Sequence, residues 1–402
     1  GSCHVSNFGP PELMLKSPWS YGRILALICA GFVDISAILT TGPRTVKKSI
    51  RPEAVSKAAR APAFGNALPT LEFYSGIGGL RVALDNAGRL VGRKIAIAGI
   101  YEINTVANAV YEHNFPEDTV TCCSIEHLKM EDVDGVAKLW LMSPPCQPFC
   151  KVGKQMDVED PRTRSLMHLV GLLEVIREPP KFVFLENVPG FENSRAQQRL
   201  VEVLVERGFD VEQYLLSPMQ LGVPNSRLRY FCLATRHHDS LLPPCSGGYH
   251  PPLACGSGKK GRVYPDHSLM GDAATPLLVP PKAAAYATDA LRFDVVTGGS
   301  TATTTFTKGY GKHAGRAGPV LLLHKATGRV SREPLDRFPS GQGEGEARQW
   351  LLRYFSDQEI LRMHGFPEGF GFPDGVTLRQ RFSLVGNSVN VEVVSKLLAH
   401  ML

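Results

Sequence analysis

From Thr70 to Arg236, short apolar runs alternate regularly with longer segments of helical character. The runs TLEFY, KIAIAGIYE, KLWLM, KFVFLENV and RYFCLAT have the length and the β-branched or aromatic content of strands. Intervening segments such as RVALDNAG and AQQRLVEVLVERG have helical spacing and end at glycine. Because strands and helices alternate, the sequence predicts an α/β fold with a mostly parallel, doubly wound sheet.

The remaining segments predict a division of the chain into four parts. Residues 240–285 are rich in Pro, Gly and Ser, 291–323 are β-like, and helical spacing returns at DQEILRMHGF and after GNSVNV. The predicted parts are an extension (1–68), a catalytic domain (69–235 and 377–402), a connector (236–290) and a small region (291–376).

The extension leaves three alternatives open. Its apolar stretch RILALICAGFVDISAILT is interrupted by Asp34 and is short for a membrane span. Basic residues outnumber acidic ones, as in organellar presequences. A transit peptide, a weak membrane or signal segment and a poorly ordered extension all remain possible.

Charge and cysteine usage narrow the class of protein. The formal net charge of +6 is compatible with a polyanionic partner but does not demand one. The nine cysteines have no zinc-finger spacing, and an odd number argues against a secreted disulfide framework. We therefore expect a reducing compartment, cytosol or nucleus, and no bound metal.

A glycine turn after the first strand predicts a cofactor site. FYSGIGG (73–79) joins a strand to a helix, and glycines let the backbone approach a ligand closely. Glu102 ends the next strand, where a carboxylate can accept both hydroxyls of a ribose. The spacing is not GxGxxG, which favours S-adenosylmethionine over a dinucleotide. An ordinary tight turn is the alternative.

The stretch SPPCQPF (143–149) places Cys146 in a rigid loop at the end of a strand. The flanking prolines fix φ and remove N–H donors. A cysteine is often simply a small buried apolar residue, but a packing cysteine does not need such a turn. We therefore interpret Cys146 as a candidate nucleophile.

Two further strand ends carry charged side chains. A partly buried Glu186 in FLENV can have a raised pKa and donate a proton. Arg227 and Arg229, at i and i+2 in NSRLRYF, face one side of an extended chain and can bind one acceptor-rich group. The alternatives are a solvated strand end and a surface basic pair.

Taken together, these groups suit methylation of cytosine at C5. That carbon is a weak nucleophile until a thiolate adds at C6 and N3 is protonated, which makes the ring an enamine. A rigid mount would hold the thiol at C6 while C5 faces the methyl donor.

In order, FYSGIGG, SPPCQPF, LENV, SRLRYF and GNSVNV resemble the signature blocks of cytosine-C5 methyltransferases. FTKGYGK (306–312) and LLSPMQLGVPNSRLRYF are similar to the small eukaryotic branch that methylates a cytosine in the anticodon loop of aspartate tRNA. The resemblance implies a Rossmann-like, S-adenosylmethionine-dependent methyltransferase with a small target-recognition domain. It also implies tRNA as partner.

The resemblance further implies residue roles. Cys146 would be the nucleophile, Glu186 would protonate N3, and Arg227 and Arg229 would orient the base. The implied lining of the S-adenosylmethionine pocket comprises Ile77, Gly78, Gly79, Glu102, Ile125, Glu126, Ser143, Asn387 and Ser388. The branch usually has a cysteine where this chain has Thr305, which leaves tRNA affinity or selectivity open.

An RNA-binding surface is predicted in the small region. Its basic residues stand among the aromatic Phe306 and Tyr310, a pattern compatible with backbone contacts and base stacking. A solvated hairpin is the alternative. The predicted RNA-binding residues are Lys308, Tyr310, Lys312, His313 and Arg316.

Two other functions stay open, a DNA cytosine-C5 methyltransferase and a non-catalytic nucleic-acid-binding relative. The intact Cys146, Glu186 and arginine pair argue against the second. We also expect a monomer, with DNA as a weak second ligand, in the cytosol or nucleus unless residues 1–68 direct the chain to an organelle.

Overall fold

A computed structural model describes residues 64–149, 157–236, 277–279, 294–312, 317–331 and 350–402. These residues fall within one unit, Arg60–Leu402. The predicted extension up to residue 63 and most of the predicted connector lie outside the described residues. None of the helices in the described ranges has the length and hydropathy that crossing a membrane requires.

A six-stranded sheet forms the centre of the fold. Side by side, its strands lie in the order β2-β1-β3-β4-β6-β5. β1 to β4 run parallel, whereas β6 runs antiparallel to both of its neighbours. The prediction of a mostly parallel sheet is therefore confirmed. The strands are β1 (Leu68–Phe73), β2 (Ile95–Tyr101), β3 (Leu139–Met142), β4 (Phe182–Asn187), β5 (Phe209–Leu216) and β6 (Arg229–Arg236).

Helices cover both faces of this sheet. Buried residues of α1, α2 and α7 share one apolar core with one face, and those of α3 and α4 share a second core with the other. α7 packs against α1, with Ser388 and Val389, just before α7, beside Gly79 at the glycine turn and Leu402 near Arg93, just beyond the other end of α1. The helices of the described ranges are α1 (Gly79–Val91), α2 (Thr105–Asn114), α3 (Arg164–Val175), α4 (Arg195–Glu206), α5 (Asp357–Met363), α6 (Leu378–Asn387) and α7 (Val391–Met401).

α4 illustrates why these segments become helices. The Ser194 hydroxyl accepts a hydrogen bond from the Gln197 N–H at 3.0 Å, which satisfies a donor that the first turn leaves open. Leu200 and Leu204, one turn apart, are fully buried against the sheet. The helical spacing read from the sequence therefore corresponds to a buried stripe.

β5 and α6 were not predicted from the sequence. In β5, Asp210 and Glu212 alternate with buried residues, so the strand has no continuous apolar run. α6 begins at a capping box in which the Thr377 and Gln380 side chains bond each other's backbone N–H groups. The alternation of polar and apolar residues in β5 and the capping box of α6 are both visible in the sequence, but each covers only a few residues.

A three-stranded sheet occupies the small region. Its strands β7 (Val295–Val296), β8 (Val320–His324) and β9 (Trp350–Tyr354) lie in that order, with β7 parallel and β9 antiparallel to β8. Buried apolar residues of β8 belong to the same core as those of α1 and α7. The small sheet is thus joined to the large one through shared apolar packing.

Candidate active site

A cavity of about 640 Å³ opens at the carboxyl ends of β1 to β4. This edge is where parallel α/β sheets bind ligands. The cavity is lined by residues that follow each of these strands and by residues from β6 and the α6–α7 junction. All four predicted catalytic residues and eight of the nine predicted cofactor residues line it, Gly78 being the exception.

The glycine turn is held by Glu102. One carboxylate oxygen accepts the Gly76 N–H at 3.0 Å, and the other accepts the Asn104 N–H at 2.8 Å. Tyr74 and Gly76 have positive φ values of 57° and 55°, so the chain turns sharply before α1. The Glu102 carboxylate therefore joins the turn after β1 to the start of α2.

Gly78 and Gly79 serve packing more directly than ligand contact. A Cβ at Gly78, whose φ is 89°, would lie 2.6 Å from the Phe115 ring, on the α2 side. A Cβ at Gly79 would lie 2.6 Å from the Ser388 hydroxyl. Gly79 thus permits the close approach of the C-terminal block, whereas Gly78 is not among the residues that line the cavity, and its predicted role at the cofactor stays a prediction.

The loop that carries Cys146 is anchored on both sides. Before it, the Ser143 hydroxyl donates to the Tyr74 carbonyl oxygen at 3.3 Å. After it, the Phe149 N–H donates to the Cys146 carbonyl oxygen at 3.1 Å, and the buried Phe149 ring packs edge-on against Phe191. Cys146 is a reduced, half-buried cysteine between these anchors.

Glu186 is the next-to-last residue of β4 and is 9% exposed. Burial raises the pKa of its carboxyl, and the neighbouring cations Arg229 and Arg227 oppose that rise. The Arg229 Nε lies 3.5 Å from the Glu186 Oε1. This carboxyl therefore holds a proton more readily than an exposed glutamate does.

Arg227 is only 2% exposed, and its guanidinium is occupied by backbone carbonyls. It donates to the carbonyl oxygens of Phe306 at 3.1 Å and Gly386 at 3.3 Å, and also to that of Ser388. Burial, followed by the charge of Arg229, lowers its pKa to about 9. Arg227 thus ties together three segments that are far apart in the chain.

The remaining predicted cofactor residues come from two places. Ile125, which is buried, and Glu126 belong to a short 3-10 helix, Ile125–His127, that lies between α2 and β3 in the chain. Asn387 ends α6, and Ser388 follows it in an extended conformation. Both pairs line the cavity together with Ser143.

The predicted RNA-binding residues do not form one surface. Tyr310 is 2% exposed, its hydroxyl donates to the Pro319 carbonyl oxygen at 2.6 Å, and its ring packs edge-on against the buried Phe306. Neither ring can stack a base, so the predicted stacking role is wrong. Lys308 and Lys312 are exposed, and His313 and Arg316 lie outside the described residues.

Thr305 stands beside the tie made by Arg227. Its hydroxyl donates to the Ser226 carbonyl oxygen, and the Ser226 N–H donates to the Thr303 carbonyl oxygen at 2.8 Å. The segment before β8 is therefore bonded to the segment before β6. A side chain with a hydroxyl donor at residue 305 adds to this connection.

Sequence reasoning missed several lining residues. Arg162 and Ser165 line the cavity from the segment after the Cys146 loop, and the Tyr74 hydroxyl donates to Ser165 Oγ at 3.0 Å. The prediction of site residues relied on polar side chains directly after predicted strands, and Arg162 and Ser165 are not in such positions. Within the described ranges, the acidic, His and Cys side chains form no cluster that could hold a metal ion.

Comparisons with known proteins give consistent results. The family model of the C-5 cytosine-specific DNA methylases matches residues 68–253 and 299–402. The tRNA (cytosine(38)-C(5))-methyltransferase of Bos taurus is 33% identical over 82% of this chain and 98% of its own length. The DNA (cytosine-5)-methyltransferase of Dictyostelium discoideum is 32% identical over 82% and 93%.

Solved structures agree with this similarity. The Dnmt2 methyltransferase of S. pombe superposes with a TM-score of 0.66 and 29% identity, over 83% of this chain and 98% of that one. A Dnmt2 mutant of Spodoptera frugiperda gives a TM-score of 0.66 at 33% identity, again over 83% and 98%. The predicted methyltransferase fold is therefore confirmed.

Proposed function

The chain belongs to the family of C-5 cytosine-specific DNA methylases, and we propose that it transfers a methyl group from S-adenosylmethionine to C5 of a cytosine in tRNA. The observation that carries this proposal is the meeting of Cys146, Glu186 and Arg229 with the glycine turn around one cavity. The Bos taurus relative, whose name specifies tRNA cytosine 38, supports an anticodon-loop target. Aspartate tRNA is the substrate we propose.

The cavity lining fits S-adenosylmethionine better than a dinucleotide. Near the glycine turn the charged side chains are the carboxylates Glu102 and Glu126, which suit ribose hydroxyls and a cationic ligand. A pyrophosphate would meet like charge there. A volume of about 640 Å³ is also within the range of sites for ligands of nucleoside size.

In this proposal the cofactor supplies an electrophilic methyl group, and the chain activates the base that receives it. The Cys146 sulfur adds to C6 of the cytosine, which forms an S–C6 bond and moves the ring electrons toward N3. The raised pKa of Glu186 suits it to deliver a proton to N3, and C5 then becomes nucleophilic. After C5 has bonded the methyl group, the N3 proton returns to Glu186, a base removes the C5 proton, and elimination of the Cys146 thiolate breaks the S–C6 bond and restores the aromatic ring.

Arg229 supports the same step through its position beside Glu186. A cation at this distance stabilises the carboxylate that remains after the proton has left. The exposed Lys308 and Lys312 follow the Phe306 carbonyl that Arg227 binds, and they support RNA backbone contacts near the cavity. An unstacked loop base costs less to extrude than a base in a duplex.

Duplex DNA is the second candidate substrate, because a Dictyostelium discoideum relative of 32% identity is named a DNA methyltransferase. Methyl transfer from labelled S-adenosylmethionine to total tRNA and to duplex DNA, side by side, separates the two. We expect labelled tRNA, with bisulfite sequencing locating one anticodon-loop cytosine. Stronger labelling of DNA would contradict the proposal, and a Cys146→Ala variant provides the blank.

A further inference from the structure

Arg162 is a cation of the cavity wall that the proposed reaction does not use. It belongs to the 3-10 helix Pro161–Thr163, directly before α3, and it lines the cavity together with Gln147, Ser165 and Cys146. Its side chain is 47% exposed. Arg162 is therefore a solvent-accessible residue of the same cavity that contains the Cys146 thiol.

Asp160 fixes the direction of this guanidinium. The Arg162 Nε donates to Asp160 Oδ1 at 2.8 Å, and a terminal nitrogen donates to Asp160 Oδ2 at 2.5 Å. The Asp160 side chain is only 5% exposed, and its Oδ1 also accepts the Arg162 N–H at 3.0 Å. A two-point contact with a buried carboxylate orients the planar fork before any ligand arrives.

The other two arginines of the cavity are poorly placed to receive an anion from outside. The guanidinium of Arg227 is buried and donates to backbone carbonyls, and Arg229 is mostly buried beside Glu186. The rim near the glycine turn carries Glu102 and Glu126, which repel anions. Arg162 is thus the most accessible cation among the described residues that line this cavity.

We propose that Arg162, held by Asp160, binds an anionic oxygen group of a bound substrate, namely a phosphodiester beside the target cytosine in RNA. This inference rests on the proposed function. A nucleotide whose base reaches Cys146 brings its own phosphates to the mouth of the cavity, where a guanidinium fork matches their geometry. The carboxylate of S-adenosylmethionine is the other source of the same chemistry.

The first test compares Arg162→Ala with Arg164→Ala, an exposed arginine two residues on that does not line the cavity. We expect Arg162→Ala to lower kcat/KM for tRNA about 10- to 100-fold, the range for a lost hydrogen bond to a charged group. The slope of log affinity against log salt should shrink by about 0.7–0.9, as for one lost phosphate contact. Arg164→Ala should change the kcat/KM value little, and Arg162→Lys should fall between them.

A second test identifies the anion. A tRNA carrying a single uncharged methylphosphonate next to the target cytosine should bind the wild-type protein more weakly, and Arg162→Ala should show no further loss. If Arg162→Ala instead weakens S-adenosylhomocysteine while leaving methylthioadenosine, which lacks the carboxylate, unchanged, the anion is the cofactor's and the RNA assignment is overturned. Unchanged tRNA kinetics and unchanged cofactor binding would overturn the proposal altogether.

Two controls keep these outcomes distinct. Thermal melting of each variant shows whether it folds, and Asp160→Asn should reproduce part of the Arg162→Ala defect because it loosens the guanidinium. If the wild-type protein fails to methylate tRNA, the proposed function fails in the control reaction, whereas the cofactor comparison still reports on Arg162.

Discussion

The two walls of the cavity differ in what brings their residues together: one is built from the ends of neighbouring strands, and the other from hydrogen bonds between residues that are far apart in the sequence. One wall, here called the strand-end wall, consists of Tyr74–Ile77, Gly79, Glu102, Ser143–Cys146 and Glu186, each within a few residues of the end of its own strand. The other wall includes Arg227 and Gly386–Ser388. It rests on a junction, here called the seam, in which Arg227 donates to the carbonyl oxygens of Phe306, Gly386 and Ser388 and Thr307 packs against Gly386.

The difference concerns what holds each wall in place. The strand-end wall is positioned by the ladders of a buried parallel sheet, which would form whatever side chains followed the strands. The seam depends on one buried guanidinium and on a close approach: a Cβ at Gly386 would lie 2.4 Å from the Thr307 carbonyl carbon. We therefore expect substitutions in the strand-end wall to change catalysis or ligand binding. Substitutions in the seam should also lower the free energy of unfolding, because they disturb the packing of distant chain segments against each other.

The largest expected effect separates loss of methyl transfer from loss of cofactor binding. Cys146→Ala should reduce methyl transfer by about 10³-fold or more, because the nucleophile is lost. Binding of S-adenosylmethionine should remain nearly unchanged, since the thiol acts on the base. A titration that shows loss of cofactor binding would contradict the separation, and Cys122→Ala, which removes an exposed cysteine, is the matched control.

The paired arginines give the sharpest test of the seam. Arg227→Met should lower the free energy of unfolding by about 3–9 kcal/mol, because three carbonyl oxygens lose their donor at about 1–3 kcal/mol each. It should also weaken cofactor binding, because Ser388 lines the pocket. Arg229→Met should abolish most turnover yet keep cofactor binding, and denaturant titration with calorimetry measures both. If the two variants had the same unfolding free energy and the same cofactor affinity, the proposed difference between the two walls would be wrong.

A buried acid beneath the strand-end wall predicts a pH dependence. Glu72 lies on β1, accepts the Tyr111 hydroxyl at 2.8 Å, and burial raises its pKa from 4.5 to about 8, while Arg81 opposes and Asp118 adds to the rise. The folded state therefore binds this proton more tightly than the unfolded state, so stability is full below pH 4.5 and falls as pH rises toward 8.

Glu72→Gln should remove this pH dependence, since the amide stays neutral. Between pH 5 and 8.5 the wild-type protein should lose on the order of 4 kcal/mol more unfolding free energy than the variant, because one pKa unit corresponds to about 1.4 kcal/mol. Urea titrations at both pH values measure the difference. Parallel pH profiles would show that Glu72 titrates alike in both states.

The contrast between the walls also explains what the sequence could predict. Cys146, Glu186 and Glu102 were found because strand ends of a parallel sheet meet at one edge, so position in the sequence implies position in space. The bonds from Arg227 to Phe306 and Ser388 join residues 79 and 161 positions apart, and no local pattern encodes such pairs. Tyr310 was misjudged for the same reason, because an aromatic residue among lysines resembles a binding surface until packing buries it.

Glu102→Ala probes the strand-end wall on its cofactor side. Removing the carboxylate should weaken cofactor binding by about 1–3 kcal/mol, the range for a lost hydrogen-bonding partner with charge. Part of this loss should come from the turn, because the Gly76 and Asn104 N–H groups also lose their acceptor. An unchanged dissociation constant would exclude a role for Glu102, and Glu131→Ala, an exposed acid outside the cavity, is the control.

The smallest expected effect belongs to the exposed cations that follow the seam. Lys308→Ala and Lys312→Ala should each weaken tRNA binding severalfold and reduce the salt slope by about 0.7–0.9 if each lysine contacts one phosphate. Because both side chains are exposed, unfolding free energy and cofactor affinity should stay constant, unlike in Arg227→Met. Filter binding across a salt series measures the slope. If a variant instead lost cofactor affinity, the seam would extend beyond Thr307 to these lysines. Lys308 and Lys312 would then help to hold the cavity in place, and they could not be assigned to RNA contact alone.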